Sequence, residues 1–267
     1  MRRLAAVDHS TYLEALREQS DLFATTLAGV PADRPVPTCP GWTVGDLHRH
    51  LTEVHAFWAQ VVGAGLDGGD VPEPDRPRDG VPADVAAGSR AALLVALAGR
   101  DPAQECWSWA PDGHSVGWVA RRQAHEALIH RVDAELAAGL PVTAPPAELA
   151  ADGVDELLTV LIDGVPGDGE LTLDGTTLRL SCTDAAGSWV LALGSFAGTD
   201  DDGEPYTVDV APLLTQDDGG QDDAVVSGPA WDLDRWLWGR GPLDALTVEG
   251  DGALAARLRA MVVASTQ

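Results

Sequence analysis

In the first half of the chain, apolar residues recur every three or four positions, which is the period of an amphipathic helix. This pattern predicts four helices, around residues 13–27 and over 44–62, 84–97 and 118–138. Thr43 and Asp46 have the spacing of a capping box at the start of the second helix, and Gly139 ends the fourth. Four helices with one long connection predict an all-α four-helix bundle.

After residue 148 the pattern changes to short runs bounded by Gly, Asp and Pro, which is typical of strands. It predicts strands near 170–173, 177–181, 188–193, 206–210, 223–226 and 245–249, with helices near 148–162, 229–238 and 251–263. Asp174-Gly175 lies between the first two runs and predicts a hairpin. We therefore expect an α+β second domain. Residues 139–148 have linker composition, so the predicted domains are 1–140 and 148–267.

The charge of the chain excludes several classes of partner. The formal net charge is −25, and every cation is an arginine, so lysine-based Schiff-base and P-loop chemistry is excluded. An acidic chain repels phosphate backbones and anionic membrane surfaces. The three scattered cysteines suit a reducing compartment. We expect a cytoplasmic protein that binds neither nucleic acid nor membranes.

The second helix carries histidines that could bind a metal. On a helical wheel, His50 falls at roughly −60° and His55 at roughly +80° from the centre of the apolar stripe. They therefore lie at opposite edges of the apolar stripe, and periodicity does not choose between them. A partly buried histidine that bonds a neighbour is the simpler interpretation of either one.

The fourth helix places Glu126 and His130 four residues apart and thus on one face. With one histidine from another helix they would make three protein ligands and leave a position open, as in catalytic zinc sites. The same donors also accept Fe(II), Ni(II) or Mn(II). The alternative is a salt bridge from Glu126 to protonated His130 or to Arg122, and His125 is the main rival ligand.

Four segments carry a resemblance to a known family. Residues 40–51 (PGWTVGDLHRHL) and 121–135 (RRQAHEALIHRVDAE) resemble the two metal-binding motifs of the mycothiol-dependent maleylpyruvate isomerase family. Residues 236–240 (WLWGR) and 246–251 (LTVEGD) resemble its C-terminal domain. The resemblance implies a DinB-like metal-binding four-helix bundle followed by a sterol-carrier-like α+β domain.

The resemblance also implies the site and its cofactors. It assigns His50, Glu126 and His130 as ligands of a divalent metal, with zinc as the first choice, and mycothiol as the thiol cofactor. His125 becomes a residue behind the ligands, and Asp133 could orient His130, since metal-bound imidazoles usually donate their other N–H. The partners would be a small-molecule thiol and an electrophilic substrate, for isomerisation or S-transfer.

Arg240 is the candidate for binding the substrate, because arginine can hold a carboxylate with two parallel hydrogen bonds. The alternative for Arg240 is a charge that pairs with Asp232, Asp234 or the end of a short helix. Two other functions stay open for the whole chain. One is a non-catalytic binding module in which a metal with four protein ligands only stabilises the bundle. The other is a metal-free bundle for protein interaction.

Overall fold

The computed structural model describes residues 7–72, 81–110, 113–163, 169–200, 202–214 and 220–266. The chain forms two compact units. One spans Val7–Thr143, and the other takes the described residues from Ala144 onward. A helical first unit and a second unit with a mixed sheet and helices confirm the predicted fold class. None of the helices in the described part of the chain has the length and hydropathy needed to span a membrane.

The first unit contains four long helices. They are α1 (His9–Leu27), α2 (Val44–Ala64), α3 (Ala83–Ala98) and α4 (Val116–Ala138), with a short 3₁₀ segment over Gly65–Asp70. Each bound lies within a few residues of the predicted one. The Thr43–Asp46 capping box is present at the start of α2. Gly139 ends α4 with a φ of 73°, a left-handed conformation that glycine adopts without strain.

Packing in this unit brings α2 and α4 together. α1 packs mainly against α4 and α2 mainly against α3, and α2 also contacts α4. Most residues of α4 are buried, including polar ones, so this helix is the centre of the bundle. Phe23, Leu27, Leu47, Leu51 and Ala134 share one apolar core. The contact of α2 with α4 is what positions the candidate site.

The second unit is a five-stranded mixed sheet with helices. Its elements are α5 (Ala147–Glu156, continued by a π-helical turn over Leu157–Ile162), β1 (Gly169–Cys182), β2 (Ser188–Thr199), β3 (Pro205–Val210), β4 (Ala224–Gly228), α6 (Ala230–Leu237), β5 (Thr247–Gly250) and α7 (Gly252–Thr266). The strand order is β3-β2-β1-β4-β5. Among the strands in the described part of the chain, β1 and β4 are the one parallel pair, and the other neighbours are antiparallel. Strand β2, which lies between β3 and β1, is buried along most of its length, as expected for a strand covered on both faces.

The hairpin predicted at Asp174-Gly175 is wrong. Both flanking runs belong to the single strand β1 and pair with β2, with the register shifting between Leu173 and Thr177. Gly175 has a φ of 85°, and Asp174 accepts hydrogen bonds from Thr176. The local turn chemistry is therefore present, but it makes a bulge. A tight turn and a bulge use the same residues, and the pairing partner decides between them.

Candidate metal centre

The candidate centre is built on two helices whose positions follow from local sequence. Thr43 and Asp46 exchange hydrogen bonds across the first turn of α2: the Asp46 N–H donates to Thr43 Oγ1 (3.3 Å), and the Thr43 N–H donates to Asp46 Oδ2 (2.9 Å). His50 lies one turn further along this helix. Glu126 and His130 lie one turn apart on the buried helix α4. The capping box thus fixes where α2 begins, and packing against α4 decides which of its faces is turned toward Glu126.

Three side chains from these helices meet. His50 Nε2 is 3.1 Å from Glu126 Oε1, and His130 Nε2 is 3.2 Å from the same oxygen. One donor atom from each of the three residues lies within 4.8 Å of the other two. Two imidazole nitrogens and one carboxylate oxygen match in number and type the protein ligands of an open zinc site. The residues present therefore fit a divalent cation.

The charges in this cluster compensate one another. Burial by itself would raise the pKa of Glu126, but the charge on His130 and hydrogen bonds from His130 and His50 hold that pKa well below its ordinary value. Burial would likewise lower the pKa of His130, but Glu126 and Asp133 raise it to about 9. Glu126 is therefore ionised at neutral pH. A bound cation would take the place of the proton on His130.

Asp133 holds the far side of the His130 ring. His130 Nδ1 donates to Asp133 Oδ2 (2.9 Å), and Asp133 is fully buried. Thr38 Oγ1 donates to Asp133 Oδ1 (2.5 Å), and Cys39 Sγ donates to Oδ2 (3.4 Å). Cys39, His130 and Asp133 also form a second group of donors within 4.8 Å. Because these three are already bonded to one another, we interpret them as the support that directs His130 Nε2 toward Glu126.

Trp42 lies against both imidazole rings. Its ring centroid is 4.9 Å from that of His50 and 6.3 Å from that of His130, and its plane is within 21° of the His130 plane. Trp42 also packs against the apolar core that α1, α2 and α4 share. Trp42 thus packs the bundle and also covers one side of the two histidines.

His55 and His125 lie outside the group of donor atoms that the described residues form around Glu126. His55 is 3% exposed, and burial lowers its pKa to about 4. His125 is buried as well, and its ring makes an edge contact with that of Tyr12 on α1. The group around Glu126 therefore has three donors, which favours an open coordination site over a closed one.

Arg240 belongs to the second unit and is mostly buried. Its Nη1 donates to the Trp238 carbonyl (2.5 Å), and its guanidinium lies 5.7 Å from the centroid of the Trp238 ring. Asp232, one of the partners considered for it, instead pairs with Arg235 at 2.6 Å. Binding of substrate by Arg240 stays a prediction.

Thr38 and Cys39, which bond Asp133, were not predicted from the sequence. They lie in a turn between α1 and α2, where the Val36 N–H donates to the Trp42 carbonyl (2.9 Å). This turn brings Thr38 to Asp133, 95 residues later in the chain. Their position just before the Pro-Gly-Trp motif was the one available signal.

Comparisons with known proteins give the family. The model of the mycothiol maleylpyruvate isomerase N-terminal domain matches residues 13–135, and that of the family's C-terminal domain matches residues 148–257. No curated protein matches the chain at a significant level.

Two solved structures share the fold. They are crystal structures of the mycothiol-dependent maleylpyruvate isomerase and of a histidine-to-alanine mutant of it. Each is 18% identical to this chain with a TM-score of 0.59, and the match covers 91% of this chain and 93% of the other. At this identity the structural likeness shows the fold alone. The family is shown by the two sequence models of its domains, which together match most of the chain. This chain belongs to the mycothiol-dependent maleylpyruvate isomerase family.

Proposed function

We propose that this protein is a metal-dependent enzyme that uses mycothiol either to isomerise a small electrophilic substrate or to join the thiol to it by S-transfer. The observation that carries the proposal is the meeting of His50, Glu126 and His130, with their donor atoms within 4.8 Å of one another. Membership of the family supports the choice of thiol. The substrate class follows from the electrophiles that a thiol attacks.

His50, Glu126 and His130 would hold the metal. A divalent cation with three protein ligands supplies a Lewis acid that lowers the pKa of a coordinated thiol. The chain's own part is to keep Glu126 ionised, to hold the His130 ring through Asp133, and to cover one side of the imidazoles with Trp42. Zinc suits this donor set, and Fe(II), Ni(II) and Mn(II) suit it as well.

The surroundings of the chain's own cysteines support the use of an external thiol. Burial raises the pKa of Cys106. Burial, together with the charges of Asp184 and Asp234, raises the pKa of Cys182 to about 12. Cys39 donates its S–H to Asp133. Mycothiol supplies a thiol that can add reversibly to an electron-poor double bond or displace a leaving group, which covers both isomerisation and S-transfer.

A metal assay tests the proposal directly. We expect about one equivalent of zinc-like metal by elemental mass spectrometry on protein purified without an affinity tag or added metal. His50→Ala and His130→Ala should lose it. His48→Ala is the matched control, because His48 is on the same helix but stacks against Phe23 and is not in the donor group.

Two results would contradict the proposal. One is wild-type protein that takes up no metal even after incubation with zinc. The other is His50→Ala protein that keeps its metal while His48→Ala loses it. If metal is present as expected, the turnover of electrophiles is then measured with and without mycothiol. Turnover that requires mycothiol indicates an enzyme, and its absence indicates a binding module that the metal only stabilises.

A further inference from the structure

The two oxygens of Glu126 have different partners. Oε1 is the oxygen that lies 3.1 Å from His50 Nε2 and 3.2 Å from His130 Nε2. Oε2 accepts a hydrogen bond from Arg122 Nη2 at 3.0 Å. A cation between the two histidines would therefore meet Oε1 first. To bind Oε2 as well, it would have to approach the positive charge of the guanidinium.

Arg122 is well placed to keep this arrangement. It precedes Glu126 by four residues on α4, so the two side chains lie on the same helix face. The side chain of Arg122 is 6% exposed and that of Glu126 is 18% exposed. A charge-assisted hydrogen bond between largely buried groups is little screened by water, and losing one partner of such a pair is costly. The guanidinium thus competes strongly for Oε2.

We propose that Arg122 is a positioning residue that makes Glu126 a monodentate ligand and so keeps a coordination position free for the thiol. The inference rests on the proposed function and deepens it. If Glu126 bound through both oxygens, the metal with its water or thiol ligand would become five-coordinate, and the extra oxygen would compete with the sulfur for space. Arg122 prevents this without contacting the metal itself.

The charges of the site agree with this role. A divalent cation, the Glu126 carboxylate, a bound thiolate and the buried Asp133 carboxylate cancel only when the Arg122 guanidinium is included. Buried charges need such compensation, because the protein interior screens them poorly. Arg122 thus allows a thiolate to be held in this place as well as leaving room for it.

Cobalt(II) tests the proposal, because its visible spectrum is more intense in four-coordinate sites than in five-coordinate ones. Full-length wild type, Arg122→Met and Arg122→Lys are loaded with cobalt and then titrated with N-acetylcysteine. We expect a four-coordinate spectrum for wild type and a five-coordinate one for Arg122→Met. The Met variant should need about tenfold more thiol, the lower end of typical effects of residues behind metal ligands. Arg122→Lys keeps a cation and should keep four-coordinate cobalt.

Arg131→Met is the matched control. Arg131 forms a buried pair with Glu135 at the same i,i+4 spacing on the same helix, at 2.5 Å, but outside the donor group. We expect this control to lose stability and to retain the wild-type cobalt spectrum. It separates the general cost of removing a buried arginine from an effect on the metal.

The outcomes separate the two proposals. Wild type that binds neither cobalt nor zinc overturns both. Metal binding with the same spectrum and thiol titration in wild type and Arg122→Met overturns the role of Arg122 and leaves the proposed function standing. If the Met variant does not fold, X-ray absorption on zinc-loaded wild type decides alone, since two Glu126 oxygens in the metal shell would contradict the inference.

Discussion

Asp133 shows how a single residue can act on a site without being a ligand. It accepts from His130 Nδ1 on one oxygen, and Thr38 donates to the other. With both oxygens engaged, a fully buried carboxylate cannot turn, so the His130 ring is held with Nε2 toward Glu126. The orientation of an imidazole is set by the partner of its second nitrogen.

This geometry predicts the effect of Asp133→Asn. The amide keeps the shape of the carboxylate but loses its charge, so His130 becomes a poorer and less fixed donor. We expect about 10–100-fold weaker zinc binding in competition with a chelating dye. Asp21→Asn, which changes a surface carboxylate on α1, is the control. Wild-type affinity in Asp133→Asn would show that Asp133 is only a packing residue.

The α2 helix depends on its first turn. Hydrogen bonds from the Thr43 side chain and backbone, together with the nearby Arg49, lower the pKa of Asp46 to about 2. A carboxyl whose pKa is depressed by folding stabilises the protein above its ordinary pKa, and this contribution is lost as the pH falls toward the folded value. The capping box should therefore weaken between about pH 4 and pH 2.

The depressed pKa of Asp46 predicts that the difference in stability between wild type and Asp46→Asn depends on pH. Thermal unfolding should show the variant less stable at pH 7, with the difference between the two midpoints narrowing as the pH falls through 4 toward 2. Asp33→Asn, on the exposed segment before α2, should show a much smaller change. If the difference between the two unfolding midpoints stays constant over this pH range, Asp46 does not act through its charge.

At the scale of the whole molecule, the candidate site lies in one of the two compact units. The three donors, Asp133 and Thr38 all fall within Val7–Thr143. A compact unit with its own core can in principle fold alone. We expect a chain that ends at Thr143 to fold and to bind about one equivalent of zinc, as judged by circular dichroism and elemental analysis. The same chain with His130→Ala should fold without binding zinc, and a folded wild-type fragment without metal would contradict the expectation.

Much of the fold follows from local sequence. The periodicity of apolar residues predicts α2 and α4 within a few residues, and the Thr43–Asp46 spacing predicts where α2 begins. The i,i+4 spacing of Glu126 and His130 likewise places them on one helix face before any tertiary contact is known. These features are local because a helix is closed by bonds between residues four apart.

Local patterns left other choices to the tertiary structure, although the family resemblance had also pointed to His50. His50 and His55 lie at opposite edges of the apolar stripe of α2. The contact of this helix with α4 places His50, not His55, beside Glu126. Asp174-Gly175 became a bulge because both flanking runs pair with β2. In each case a local pattern permitted two outcomes. The choice depended on an element distant in the chain, whose position local propensity does not encode.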